Sequence, residues 1–393
     1  MRSRPNRRIQ NYGGGTKVYQ VQNGIDVLLQ QGCKPLSGWR VGVITNHTGL
    51  TREGKPTWRA LLDAGVQLTA LFSPEHGFAG AVDEPVKDAR HPETGLPIYS
   101  LYGEHKAPTA EMLRAVDVLV FDIQDIGCRF YTYISTLGLA MEAAAQHGVR
   151  VVVLDRVNPI NGVAVEGSLT DPDRRSFVAY HSIPLRHGMT VGELARLFQA
   201  ERAPKCDLQV IPCSGWKREM WYDQTGLRWV NPSPNMRSLT AATLYPGVGL
   251  LEFTNVSVGR GTDAPFELFG APWLNADALA QHLLKRNLPG FACMPIQFTP
   301  NASKFAVEVC NGLRFTVVDR GRFQPVLLGV EIACALRRLH PREWECEPLM
   351  TLLTDGKAYE MIVQGAGADE AWAYMQRLAA AFRRKRGRYL LYG

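Results

Sequence analysis

Four short polar runs stand where an apolar stretch of the chain has just ended. They are Asn46-His47, Glu75-His76, Asp122-x-x-Asp125 trailed by Arg129, Tyr131 and Tyr133, and Asp155-Arg156 with Asn158. Carboxylates and imidazoles carry protons near neutral pH. In an open α/β sheet, ligands bind beyond the carboxyl ends of the strands. A single polar strand end would mean little, because Asp and Asn favour turns for local hydrogen bonds. Four in succession indicate a site. Glu75 leads the set, since Pro74 fixes its approach and Gly77 permits a tight exit, which holds a carboxyl at a defined point. Phe72 and Phe78 would keep it partly dry, the condition under which a carboxyl serves as a general acid.

Each of these residues also has a plainer use. Glu75 could cap a helix or pair with an arginine, His76 could be a satisfied structural histidine, and Asp122 or Asp125 could cap a helix or pair with Arg129. An Asp-x-x-Asp run suits magnesium, but such a site takes more oxygen ligands than the sequence assigns. No metal and no cofactor is expected. A further polar group lies between residues 229 and 267. The loop Trp229-Val230-Asn231-Pro232-Ser233-Pro234-Asn235-Met236 is held by prolines and presents Asn235. The glycine-rich and polar stretch from Leu250 onward includes Arg260 and ends on Glu267. It reads equally as backbone that approaches a ligand or as an interdomain linker.

Several function classes lose support. Gly49-Leu50-Thr51-Arg52-Glu53-Gly54-Lys55-Pro56 nearly matches a phosphate-cradling loop. Proline replaces the required Ser or Thr, so it reads as a surface turn with Pro at a helix start. No G-x-G-x-x-G or G-x-S-x-G follows a strand. Eight scattered cysteines include no C-x-x-C pair and read as buried free thiols. Nine basic residues at the two ends exceed the whole net charge of +7, which leaves the body slightly acidic. No nucleic-acid partner is expected. No apolar run reaches the roughly 20 residues of a membrane span, and none follows the basic head Met1–Arg8. The expectation is therefore a cytoplasmic protein, or an exported one if the true start lies upstream.

The elements that must position these residues alternate. Apolar stretches at 41–45, 68–72, 116–123, 151–154 and 208–211 read as strands. Helical patterns fall at 56–64, 108–115, 135–147 and 191–201, the last opened by the capping box Thr190-x-x-Glu193. Continuous apolar strands separated by helices signal a parallel sheet covered on both faces. After the polar stretch come helical patterns at 276–285, 326–339 and 369–384 with strands at 291–298 and 313–318. The reading is an α/β protein of 393 residues: a basic, flexible segment 1–23, a Rossmann-like domain 24–255 and a smaller α+β domain 256–393. The site would lie in the cleft between the two domains.

These residues also form a pattern. Ser-Pro-Glu-His-Gly-Phe at 73–78, Asp-Ile-Gln-Asp-Ile-Gly-Cys-Arg-Phe-Tyr-Thr-Tyr-Ile at 122–134 and Asn-Pro-Ile-Asn-Gly at 158–162 recur with Val-Glu-Gly at 165–167, Pro-Ser-Pro-Asn-Met at 232–236 and the 250–273 block. Together they resemble the NamZ-type exo-β-N-acetylmuramidases, over nearly the whole chain. The resemblance implies a glycoside hydrolase that removes N-acetylmuramic acid from the non-reducing end of peptidoglycan fragments, with Glu75 as the suspected catalytic residue. It draws Glu166 into the candidate site beside Asn158. Phe253 stands where the family usually has glycine, and Arg237 where it has proline.

Hydrolysis of a glycoside takes an acid at the leaving oxygen and stabilisation of an oxocarbenium-like transition state. Glu75, assisted by His76, fits the acid, and Asp122 or Asp125 is the candidate for the second role, directly or by orienting the substrate's N-acetyl group. The lactyl carboxylate of muramic acid calls for a forked cation, for which Arg129 and Arg260 are the candidates. Tyr131, Tyr133 and Trp229 would face the sugar ring, with Asn46, Asn158, Glu166, Asn235 and Glu267 as polar contacts. Two other readings compete: a cell-wall sugar-binding protein without turnover, and a metal-dependent amidase or deacetylase using His47, His76 and the aspartates.

Overall fold

The computed structural model describes residues 20–80, 87–365 and 367–393. The basic head, read above as part of a flexible segment 1–23, lies up to residue 19 outside the described residues. Strands β1 (Val41–Thr45), β2 (Leu68–Ser73), β3 (Ala89–Arg90), β4 (Pro97–Ser100), β5 (Val118–Asp122), β6 (Arg150–Leu154) and β7 (Leu208–Ile211) form one sheet in the order β3-β4-β2-β1-β5-β6-β7. All neighbours are parallel except β3 on β4. The chain runs outward from β1 through β2, then crosses back to place β5 on the other side of β1. Strand order therefore reverses between β1 and β5.

Successive side chains feed opposite faces of this sheet. Val41, Val43, Val118, Val120, Val152 and Leu154 join one core cluster, and Ile44, Leu119, Phe121, Val151 and Val153 join the other. Period-two placement with both faces apolar is what a covered parallel sheet demands. The second cluster runs on into the C-terminal part of the chain through Leu313, Phe315 and Val326.

That part holds β8 (Leu268–Ala271), β9 (Phe291–Phe298) and β10 (Cys310–Val317), antiparallel in the order β8-β10-β9. An α/β sheet followed by a smaller α+β unit is the architecture read from the sequence. β4, β8 and the helix Leu239–Val248 went unread. That helix carries Pro246 and Gly247 near its end and is buried along Ala241–Val248. It crosses the helix Pro325–Leu339 backbone to backbone: a Cβ added to Gly247 would lie 1.8 Å from the Pro325 carbonyl oxygen, and one on Gly329 2.5 Å from that of Gly247. This close helix crossing directly precedes the stretch from Leu250 onward that reads equally as a linker. Among the described residues no helix is long and apolar enough to cross a membrane.

Candidate active site

A cleft of about 270 Å³ opens where the carboxyl end of β2 meets the segments 130–132, 233–236 and 245–266. Glu75 and His76 enter it from the turn after β2, in which the Gly77 N–H donates to the Pro74 carbonyl at 3.1 Å. His76 has φ 68° and Gly77 φ 75°. A left-handed non-glycine residue costs about 1 kcal/mol or more and survives where its surroundings fix it. Glu75 is half-buried, and its carboxylate accepts the hydroxyl of Thr132. Thr132 is the N-cap residue of the helix Tyr133–His147, yet it makes no capping bond there. Its hydroxyl is committed to Glu75 instead.

Facing this group are Tyr131, Asn235 and Arg260, all in the lining. Apart from Phe253, the sequence reading did not single out the rest of the wall. Phe130, Tyr131, Tyr245 and Phe266 form a chain of edge-on or tilted rings, with centroids 5.1 Å (Phe130–Tyr245), 5.9 Å (Tyr131–Tyr245) and 4.7 Å (Tyr245–Phe266) apart. Such a surface suits the apolar face of a sugar. Glu252 brings a second carboxylate to the same cleft and forms an ion pair with Arg260. Phe253 beside it is 48% exposed. Tyr102 lines the cleft, and Lys106 sits 3.7 Å over its ring. Burial lowers the Lys106 pKa and the charge of Glu75 pulls it back up.

The other expected site residues are placed elsewhere, each for a visible reason. Asp122 is fully buried, bound by Arg156 through Nε at 2.6 Å and Nη2 at 3.0 Å and by the Thr57 hydroxyl. It anchors a buried guanidinium and does not line the cleft. Asp125, also buried, accepts the Gly127 N–H at 2.7 Å and lies 3.6 Å from His187 Nε2. Arg129 was expected to hold a carboxylate, and this is corrected. Its Nη1 donates to the carbonyls of Ser168 and Ile183, and its Nη2 to those of Leu352 and Leu353, at 2.8–3.0 Å. Burial lowers its pKa to about 10. Arg129 clasps the segment 350–353 to the sheet domain.

Asn46 and Tyr133 stand one layer behind the cleft. Gln124 N–H donates to the Thr48 hydroxyl, which donates to Asn46 Oδ1; Asn46 Nδ2 donates to the Tyr133 hydroxyl, which donates to the Pro232 carbonyl, at 2.6–3.1 Å throughout. Burial raises the Tyr133 pKa, and its ring supports Tyr131 edge-on at 5.0 Å. Asn158 is spent on the Met189 carbonyl and the Ile160 N–H. Glu166 accepts Arg186 at 2.7 Å and the Val326 N–H at 3.3 Å, near the start of the helix Pro325–Leu339. Glu267 accepts the Ser238 hydroxyl, Trp229 packs edge-on against Tyr222, and Phe78 turns to His91. His47 Nε2 donates to the Asn231 carbonyl, 2.7 Å away. The residues offered for a metal reading are thus dispersed, and among the described residues no three His, Cys, Asp or Glu side chains gather as a ligand set.

Comparison with known proteins adds to this geometry. Residues 41–240 match the family described as "Exo-beta-N-acetylmuramidase NamZ, N-terminal", and residues 243–392 its C-terminal counterpart. The chain is 42% identical over 383 residues to "Peptidoglycan beta-N-acetylmuramidase NamZ" of Bacillus subtilis (strain 168), covering 96% of this chain and 92% of that protein. Two crystal structures of DUF1343 family proteins from Bacteroides fragilis NCTC 9343 superpose on it. One has a TM-score of 0.89 at 38% identity and the other 0.77 at 31%, each covering 95% of this chain and 99% of the other.

Proposed function

Because the chain belongs to the NamZ family of exo-β-N-acetylmuramidases, we propose that Glu75 is the acid with which it hydrolyses a terminal, non-reducing, β-linked N-acetylmuramic acid from peptidoglycan fragments. The enzyme is an exo-acting glycoside hydrolase. One observation carries the assignment to this cleft: Glu75, oriented by Thr132, shares a single aromatic-walled cavity with a second carboxylate and a guanidinium, Glu252 and Arg260.

Each part meets a demand of the reaction. Glu75 delivers a proton to the glycosidic oxygen as the bond to the anomeric carbon breaks, and a water molecule supplies the hydroxyl that replaces it, its second proton restoring the acid. Positive charge grows on the sugar ring in the transition state, and Glu252 supplies negative charge on the same cleft. The planar fork of Arg260 carries five donors, enough to serve Glu252 and the lactyl carboxylate that distinguishes muramic acid from N-acetylglucosamine. The rings of Tyr131, Tyr245 and Phe266 take the apolar face of the sugar. Turnover of a β-linked chromogenic N-acetylmuramic acid by Glu75→Gln tests the reading. Loss of turnover with an intact fold is expected, and near-normal turnover would refute it.

A further inference from the structure

A second cavity, of about 280 Å³, shares no lining residue with the Glu75 cleft. Thr48, Gln124 and Arg156, which follow the carboxyl ends of β1, β5 and β6, line it together with Arg52, Tyr222 and Arg228. It therefore sits at the reversal of strand order between β1 and β5, the place where open α/β sheets take ligands. The Gly49–Lys55 turn forms one wall, but not as a phosphate cradle. The N–H groups of Gly49, Leu50, Thr51, Arg52, Gly54 and Lys55 are all committed to protein acceptors.

Gln124 points to a ligand. It is 4% exposed, and its Nε2 donates to the carbonyls of Asp125 at 2.7 Å and Val157 at 2.9 Å. Those two bonds fix which end of the amide is nitrogen, and they leave Oε1 with no partner among the described residues. A buried amide oxygen without a donor is costly, and since Oε1 is itself closed off from solvent, a ligand hydroxyl or N–H meets it after a small shift of its neighbours. Arg156 is already paired with Asp122, so the remaining charge of the lining is Arg52 and Arg228 against Glu53. Tyr222, Leu50, Leu227 and Val230 add apolar surface.

We propose that this cavity is a second ligand site, which takes an acidic, hydroxyl-rich sugar with a hydroxyl or N–H on Gln124 Oε1 and the carboxylate toward Arg52 and Arg228. Free N-acetylmuramic acid is the ligand of that class which the reaction proposed above would release, and in this respect the inference rests on that reading. The test is isothermal titration of the full chain carrying Glu75→Gln with N-acetylmuramic acid. Two sites are expected. Adding Arg228→Glu, an exposed change, should weaken one of them at least tenfold and leave the other unaltered, and Gln124→Leu should do the same. N-acetylglucosamine, which lacks the carboxylate, should bind the second site at least tenfold more weakly. Fewer than two sites, or two sites that neither change weakens, overturns the proposal; should Gln124→Leu not fold, Arg228→Glu decides alone. Turnover by the unaltered chain is read separately. Hydrolysis with one titrated site removes the second site and leaves the function standing. Two sites in a chain that does not hydrolyse the substrate remove the function and leave the site.

Discussion

Thr132 stands at the start of a helix and gives its hydroxyl to Glu75, 57 residues earlier in the chain. Helix caps of this type usually turn inward to the helix's own N–H groups. Here the same group fixes one oxygen of the carboxyl proposed above as the acid. Thr132→Val keeps the shape and removes the hydrogen bond, so Glu75 loses its orientation. Turnover of the chromogenic substrate should fall about tenfold or more, the scale of one hydrogen bond to a charged group, with KM changing less than kcat. An unchanged kcat would show that Thr132 does not position the acid.

Glu252 and Arg260 are expected to separate by what they recognise. Glu252→Gln should lower kcat by about a hundredfold or more, within the range that charge stabilisation supplies in active sites. Arg260→Ala should cost more on muramic acid substrates than on N-acetylglucosamine analogues, because only the former carry a carboxylate. Equal losses on both would mean that Arg260 serves only to hold Glu252.

Arg129 should behave in the opposite way. Arg129→Met leaves four backbone carbonyls without their donors, and a broken buried charge network costs about 3 kcal/mol or more. The melting temperature should drop by several degrees, while the preference between the two sugar classes stays as it was. A changed preference with a normal melting temperature would put Arg129 back among the recognition residues.

Stability should also depend on His181. It is 3% exposed and stacked on Phe198 with ring centroids 5.5 Å apart, and burial holds its pKa below the ordinary value although Glu201 pulls it upward. The unfolded chain therefore binds this proton more readily than the folded one. The contribution is fully present above the unfolded value of about 6.5 and is lost as pH falls below it. Thermal unfolding of wild type and His181→Phe at pH 7.5 and pH 5 should show a smaller acid-induced drop in the variant. An identical drop would place the acid sensitivity elsewhere.

Which of these features the sequence carried follows from how each is encoded. The parallel sheet was readable because strands buried on both faces leave near-continuous apolar runs, such as Val118–Phe121 and Val151–Leu154. The turn that carries Glu75 was readable because proline, a carboxylate and glycine mark a fixed exit from the strand. Asp122 and Arg129 misled for one reason: a charged side chain after an apolar strand looks the same whether it meets a substrate or a buried partner. Only the fold reveals Arg156 beside the first and four carbonyls around the second. Glu252 was passed over because its neighbours read as a linker, and its pairing with Arg260 depends on a turn that no local pattern announces.

The crossing of Gly247 and Gly329 has a mechanical consequence. Side chains between two helices act as a compressible layer that lets them slide by small steps. Here bare backbone meets bare backbone inside the part that matches the C-terminal family model, and Arg129 ties that part to the large sheet. The two helices are thus keyed to each other, without the side-chain layer on which packed helices shear. Tyr245, which lines the cleft, rides on one helix of that pair, so its ring is held from behind by backbone that has no room to slide.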